Sequence, residues 1–246
     1  MIRFLLRTPI HIRLLFAFLI LCTAVFSGFW IQNARAEVSA DYMPGSYVFV
    51  LDAGHGGEDG GACTADGVQE SGINLSVTLK LDDLCHLMGM NTELVRSTDT
   101  AVYSPGSKTF SEKKVSDLQN RVQLVNETSH GFLVSIHQNQ FPESKYSGAQ
   151  VFYNSVAPAE DAANALQTDL ISFLDPTNHR QAKSASDTIF LMRKITKPGL
   201  LVECGFLSNP QEAFKLQTSE YQTKLALVIA SALYRLSPKE IQENEI

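Results

Sequence analysis

The chain has 246 residues, of which 44% are hydrophobic and 19% charged, the balance of an ordinary globular protein with length for one large domain or two small ones. Its formal net charge of −6 argues against nucleic acid as a partner. The lack of an internal repeat or a low-complexity tract excludes repeat architectures.

The N-terminus opens with Arg3, Arg7, His11 and Arg13, followed by an uncharged apolar run over residues 14–30. Ala34, Arg35 and Ala36 then form a small-x-small site. This is the pattern of an export signal. The run is long for a signal peptide and at the short limit for a transmembrane helix. Residues 1–36 are therefore expected to be a cleaved signal peptide or a retained N-terminal membrane anchor, with the protein secreted or held at the membrane. A buried core helix would carry a polar face, and this run has none. Cys22, inside the run, is a poor lipoprotein site because Leu21 stands where a small residue is usual. Beyond the run, Cys63, Cys85 and Cys204 are expected to be reduced thiols and not a disulfide framework.

Residues 37–46 read as a linker. From Tyr47 on, strands and helices alternate. The β-rich "YVFVLD" ends at Asp52. "INLSVTLKLDDLCHLM" places Ile73, Val77, Leu84 and Met88 on one helical face, and Gly89 suits its C-terminal stop. "NTELVRS" reads as a strand. "VSDLQNRVQLVNE" puts Val115, Leu118, Val122 and Val125 at helical spacing. "FLVSIH" and "AQVFYN" are strands, "AEDAANALQTDLISFL" is a helix, "PGLLVE" is a strand and "SEYQTKLALVIASALYRL" is the last helix. The alternation predicts a single α/β domain with a mostly parallel twisted sheet flanked by helices. Residues 237–246 are a polar tail. Two long loops, residues 99–117 and 175–187, suit the rim of a substrate groove.

Several chemistries are excluded by pattern. No phosphate-binding loop, dinucleotide fingerprint or nucleophile elbow is present, nor a Cys-x-x-Cys or His-Glu-x-x-His. In open α/β sheets, sites collect beyond the carboxyl ends of the strands. His55 follows the first strand there, His137 ends "FLVSIH" and Glu203 ends "PGLLVE"; Glu70, just ahead of the first helix, falls near the same edge. Two imidazoles and a carboxylate make a zinc set with one position left for water. A second carboxylate outside the set can move a proton. Glu203, buried at a strand end with no basic neighbour, fits that role. The glycines of "GHGGEDGG" let the backbone turn so that His55 faces the site. The spacings match no general zinc motif, so strand-end polar residues at a surface remain the alternative.

The segments "LDAGHGGEDGGA", "ESGINL", "LVRSTD", "LQNRVQLVN", "LVSIHQN", "SGAQVFY" and "LLVECGFLSNPQE" together resemble the zinc-dependent N-acetylmuramoyl-L-alanine amidases. The resemblance runs over residues 47–236, which it marks as the catalytic domain. It implies one zinc ion ligated by His55, Glu70 and His137, Glu203 as the catalytic carboxylate, and peptidoglycan as the substrate. Asn74 and Asn139 stand near the ligands as candidate orienting donors. Arg121 matches the family's helix pattern, and a structural salt bridge explains it equally well. The chain departs from the family at Gln69, Val125 and Gln138, none of them a ligand or the base. "SGAQVFYN" and "FLSNPQEA" further resemble sporulation amidases that strip stem peptides from spore-cortex muramic acid, ahead of muramic-δ-lactam formation. An accessory protein is left open.

Other polar residues carry blander expectations. His86 reads as a helix-surface residue, His130 as a turn residue and His179 as a loop residue. Lys113 and Lys114 read as a solvated face. Cys204 follows Glu203 and so points into the core. The competing functions are a non-catalytic peptidoglycan-binding protein, a general wall amidase of division or autolysis, and a zinc peptidase acting within the stem peptide.

Overall fold

Four neighbouring strands run parallel and two more turn back against them. In the computed structural model, which describes residues 47–237, the sheet order is β2-β1-β3-β6-β4-β5. The strands are β1 Val48–Ala53, β2 Asn91–Leu94, β3 Gly131–Asn139, β4 Gln150–Tyr153, β5 Lys183–Ser184 and β6 Gly199–Phe206. The helices are α1 Glu70–Leu87, α2 Phe110–Glu127, α3 Ala159–Leu174, α4 Phe190–Lys194, α5 Pro210–Leu216 and α6 Ser219–Leu236. The expected signal or anchor (1–36), the linker (37–46) and all but the first residue of the tail lie outside the described residues. Among the described residues, no helix is long and apolar enough to cross a membrane.

β1, β2, β3 and β6 pair in parallel, as the alternation of strands and helices predicts. β4 corrects that expectation: it pairs antiparallel with β6, and β5 lies parallel to β4. The sheet is therefore mixed. The connection from β3 to β4 holds no helix, and a parallel return needs a crossover, usually a helical one.

Both faces of the sheet are covered, which is why the central strands read as unbroken apolar runs. On one face Phe49, Leu51, Val134, Ile136 and Val202 pack against Ile73, Val77, Leu81 and Cys85 of α1, with α3 and α6 beside them. On the other, Val50, Leu133 and Leu201 meet Val125 of α2 and Leu191 and Met192 of α4. Cys204 belongs to the first core, as its strand parity predicts.

Some boundaries differ from expectation. α2 starts at Phe110, inside the predicted loop 99–117, because Thr109 and Glu112 form a capping box. Its first turns are polar and lack the apolar spacing that marks a helix. Val115 is 51% exposed, so it is not on the buried face. α4, α5 and β5 are too short to show a period. α5 is set by Asn209, whose side chain accepts from the N–H groups of Gln211 and Glu212.

Candidate active site

The carboxyl ends of β1, β3 and β6 form one edge, and the turn after β1 carries His55 over it. Two buried arginines hold that turn. Arg121 of α2 forms an ion pair with Asp52 and donates to the carbonyls of Ala53 at 3.0 Å and His55 at 2.7 Å. Arg96, just past β2, donates to Ala53 O, Gly54 O and Ser71 O at 2.8, 3.1 and 2.8 Å. The turn is bound through its own carbonyls, so its conformation is set from outside.

Glycine is required there by close approach as much as by rotation. A Cβ on Gly54 would lie 2.2 Å from Cε1 of His137. One on Gly61, at φ +69°, would lie 2.5 Å from Glu70 Oε2 and 2.7 Å from His55 Cδ2. His55 itself sits at φ 60°, a conformation uncommon for a non-glycine residue and concentrated at functional sites.

His55, Glu70 and His137 come together, with one ligand atom from each within 4.8 Å of the others. His55 Nε2 lies 3.3 Å from Glu70 Oε2, and His137 Nδ1 lies 3.0 Å from Glu70 Oε1. Glu70 also accepts from the N–H of Ala62 at 2.9 Å and of Gln138 at 3.0 Å. It begins α1, where the helix dipole favours a negative charge. Burial alone would raise the Glu70 carboxyl, but the imidazoles of His137 and His55 and the Gln138 N–H hold it at about 2. Burial likewise disfavours charge on His137, yet its bond to Glu70 raises its pKa. Two imidazoles and an ionised carboxylate converging at this range fit a zinc ion.

Glu203 stands directly across from His137 in the β3–β6 pairing. Its Oε2 is buried without a hydrogen-bond partner. Burial pushes its pKa up to about 7, His137 and Arg180 pulling it down and Glu70 adding to the rise. This places a carboxyl poised near neutrality beside the cluster. One expectation needs correction: Glu203 does have a basic neighbour, Arg180 of the loop 175–187, remote in sequence, whose charge lowers the Glu203 pKa.

The remaining candidates divide. Asn74 donates to Glu70 Oε1 and to Gly54 O, both at 3.1 Å. Asn139 is different: its main-chain carbonyl accepts from Leu207 N–H at 2.8 Å, and no side-chain bond joins it to the cluster among the described residues. Gln138 stands in its place, donating to Asn74 Oδ1 at 3.2 Å. Arg121 is the scaffold of the His55 turn. Asp59 was not among the expected site residues; it holds His55 Nδ1 at 3.0 Å and is itself paired with Lys114 at 3.1 Å. Its signal was the four-residue spacing from His55 in "HGGED". Asp52, bound by Arg121 and by Ser135 at 2.6 Å, is held below the usual carboxylate range: burial opposes its charge and these partners outweigh it. Glu58 is exposed and paired with Lys113. Neither is placed to act as a base.

The other histidines among the described residues lie outside the cluster. His86 is exposed on α1 beside Asp82 and Thr92. His130 has φ 54° in the turn before β3, and His179 is exposed. Cys63, Cys85 and Cys204 are free thiols, as expected.

Residues 49–235 match the family model described as N-acetylmuramoyl-L-alanine amidase. The germination-specific N-acetylmuramoyl-L-alanine amidase of Bacillus subtilis is 39% identical over 76% of this chain and 78% of its own length. The CwlD amidase of Clostridioides difficile, solved in complex with the GerS lipoprotein, is 37% identical with a TM-score of 0.74, covering 77% of this chain and 97% of that one. A second amidase structure, from Clostridium difficile 630, is 26% identical with a TM-score of 0.65, covering 76% and 95%. The chain belongs to the N-acetylmuramoyl-L-alanine amidase family.

Proposed function

We propose that this protein hydrolyses the amide between N-acetylmuramic acid and L-alanine in spore-cortex peptidoglycan, with one zinc ion held by His55, Glu70 and His137. The observation that carries the reading is Glu203, a buried carboxyl with an unpartnered oxygen and a pKa near 7, across from His137. Bound zinc supplies Lewis-acid polarisation of the scissile carbonyl and makes water more acidic. Glu203 takes the proton from the attacking water and delivers it to the leaving amine of L-alanine. A carboxyl poised near neutrality does both at working pH. Glu70 is ionised and held on both oxygens, so it presents a fixed anion. Asp59 fixes the tautomer of His55 through Nδ1, and Asn74, itself fixed by Gln138, orients Glu70.

Catalysis is favoured over a non-catalytic wall-binding role because every member of the set is present and assembled. The likeness to a germination-specific amidase and to CwlD supports the cortex over division or autolysis. It also supports an accessory lipoprotein as a partner, since that CwlD was solved with one. Export rests on residues 1–36: a fusion of residues 1–46 to a reporter is expected to carry it across the membrane, and recovery of the reporter only in the cytoplasm would contradict export. The enzymatic reading is tested by mass spectrometry of cortex fragments after incubation with the zinc-loaded protein. Free stem peptides beginning at L-alanine support it; fragments cut within the stem peptide support a peptidase instead.

A further inference from the structure

The loop 175–187 is pinned beside the Glu203 side of the sheet. Asn178 donates to Ala149 O at 2.8 Å and accepts from Arg180 N–H at 3.0 Å. The guanidinium of Arg180 is then fixed on three sides. Its Nε donates to Ser147 O at 2.9 Å, its Nη1 donates to Gln150 Oε1 at 2.8 Å, and its Cζ lies over the Phe206 ring, 4.5 Å from the ring centre. Gln150 donates from Nε2 to Gln181 O at 2.8 Å, which turns its oxygen toward the arginine. Among the described residues, no acceptor lies on Arg180 Nη2.

Two facts place this guanidinium at the reaction site. Gln150 is the cross-strand partner of Glu203, so the two side chains share a face of the sheet. The β3–β6 pairing also shifts register, with Glu203 to Phe206 on β6 set against His137 to Asn139 on β3. Such irregularities re-aim side chains beside active sites. Phe206 is fully buried and packs with Phe141 and Tyr146 at centroid distances of 5.9 and 6.3 Å, giving the arginine a rigid base.

We propose that Arg180 forms a carboxylate subsite that holds the stem-peptide side of the substrate. The inference rests on the amidase reading above. A planar guanidinium already fixed on Nε and Nη1 loses little freedom on meeting a ligand, and its unpaired Nη2 suits an anionic oxygen. The Phe206 ring under Cζ attracts the cation and holds it in place. The net charge of the protein is −6, so a held cation at the site edge is a selective feature against an acidic background.

The test compares a muropeptide carrying free peptide carboxylates with the same muropeptide fully amidated. The zinc-loaded parent is expected to favour the free acid by about tenfold or more in kcat/KM, chiefly through KM. In Arg180→Gln that preference falls to near unity, and Arg180→Lys, which keeps charge without the planar fork, lies between. Zinc content and melting temperature are measured in each sample. A tenfold preference that survives in folded, zinc-loaded Arg180→Gln overturns the proposal, because the carboxylate is then read elsewhere. So does a parent that does not distinguish the two substrates. Calorimetry of the free and amidated stem peptides on the parent and on Arg180→Lys separates this proposal from the amidase reading and covers a Gln variant that does not fold. If no muropeptide is cleaved, the amidase reading fails, while weaker binding of the free-acid peptide to Arg180→Lys still supports the subsite. Equal binding of that peptide to both proteins overturns it.

Discussion

Arg121 Nη2 donates to the main-chain carbonyl of His55 at 2.7 Å, so a helix side chain holds the turn that presents a candidate metal ligand. The same guanidinium neutralises Asp52 and Asp117. Arg121→Ala leaves Asp52 buried and unpaired, a change that costs about 3–5 kcal/mol. Denaturant unfolding is expected to show that loss, and zinc titration a weakened site. A variant with parental stability and zinc affinity would reduce Arg121 to a bystander.

The three proposed ligands converge without sharing a strand or helix. His55→Ala and His137→Ala each remove one, and elemental analysis of the purified domain is expected to show sharply reduced zinc in both. Full occupancy in either variant contradicts the ligand set.

Gly54 faces the ring of His137 so closely that a Cβ would lie 2.2 Å from Cε1. Gly54→Ala is therefore expected to displace His137 and lower zinc affinity, with a smaller loss of global stability. The imidazole resonances of His137 report the displacement directly, and an unperturbed spectrum would contradict it.

The carboxyls give opposite pH dependences in the metal-free protein. Glu203 has its folded pKa raised to about 7 from 4.5, so its cost is absent below pH 4.5, grows as pH rises and is complete above 7. Glu70 has its pKa lowered to about 2, so its contribution is present above pH 4.5 and is lost as pH falls toward 2. Glu203→Gln removes the first effect and leaves the Glu70 carboxylate in place. The variant is expected to match the chelated parent near pH 4.5 and to exceed it by up to about 3 kcal/mol at pH 8. Parallel stability curves across that range would contradict the raised pKa.

Much of the site follows from where the apolar runs stop. "FLVSIH" and "PGLLVE" each close with a polar residue near the carboxyl end of a strand, and the pairing of those strands sets His137 beside Glu203 at one edge. The direction of β4 does not follow, since "AQVFYN" carries no record of its partner. The polar first turns of α2 hid its start, although Thr109 and Glu112 were the signal. Arg96, Arg180 and the pairing of Asp59 with Lys114 depend on contacts between residues far apart in the chain. Proximity to His137 suggested Asn139 as an orienting residue, but the side chain that meets Asn74 is its neighbour Gln138.

The central claim is that Glu203 moves the proton while His55, Glu70 and His137 hold the metal. Glu203→Gln keeps the shape of the side chain but cannot accept a proton. The direct measurement is muropeptide release by this variant, with zinc content determined in the same sample. Full zinc occupancy with release slowed by at least about a hundredfold is the expected result. Near-parental release with zinc in place would contradict the account and remove Glu203 from the reaction.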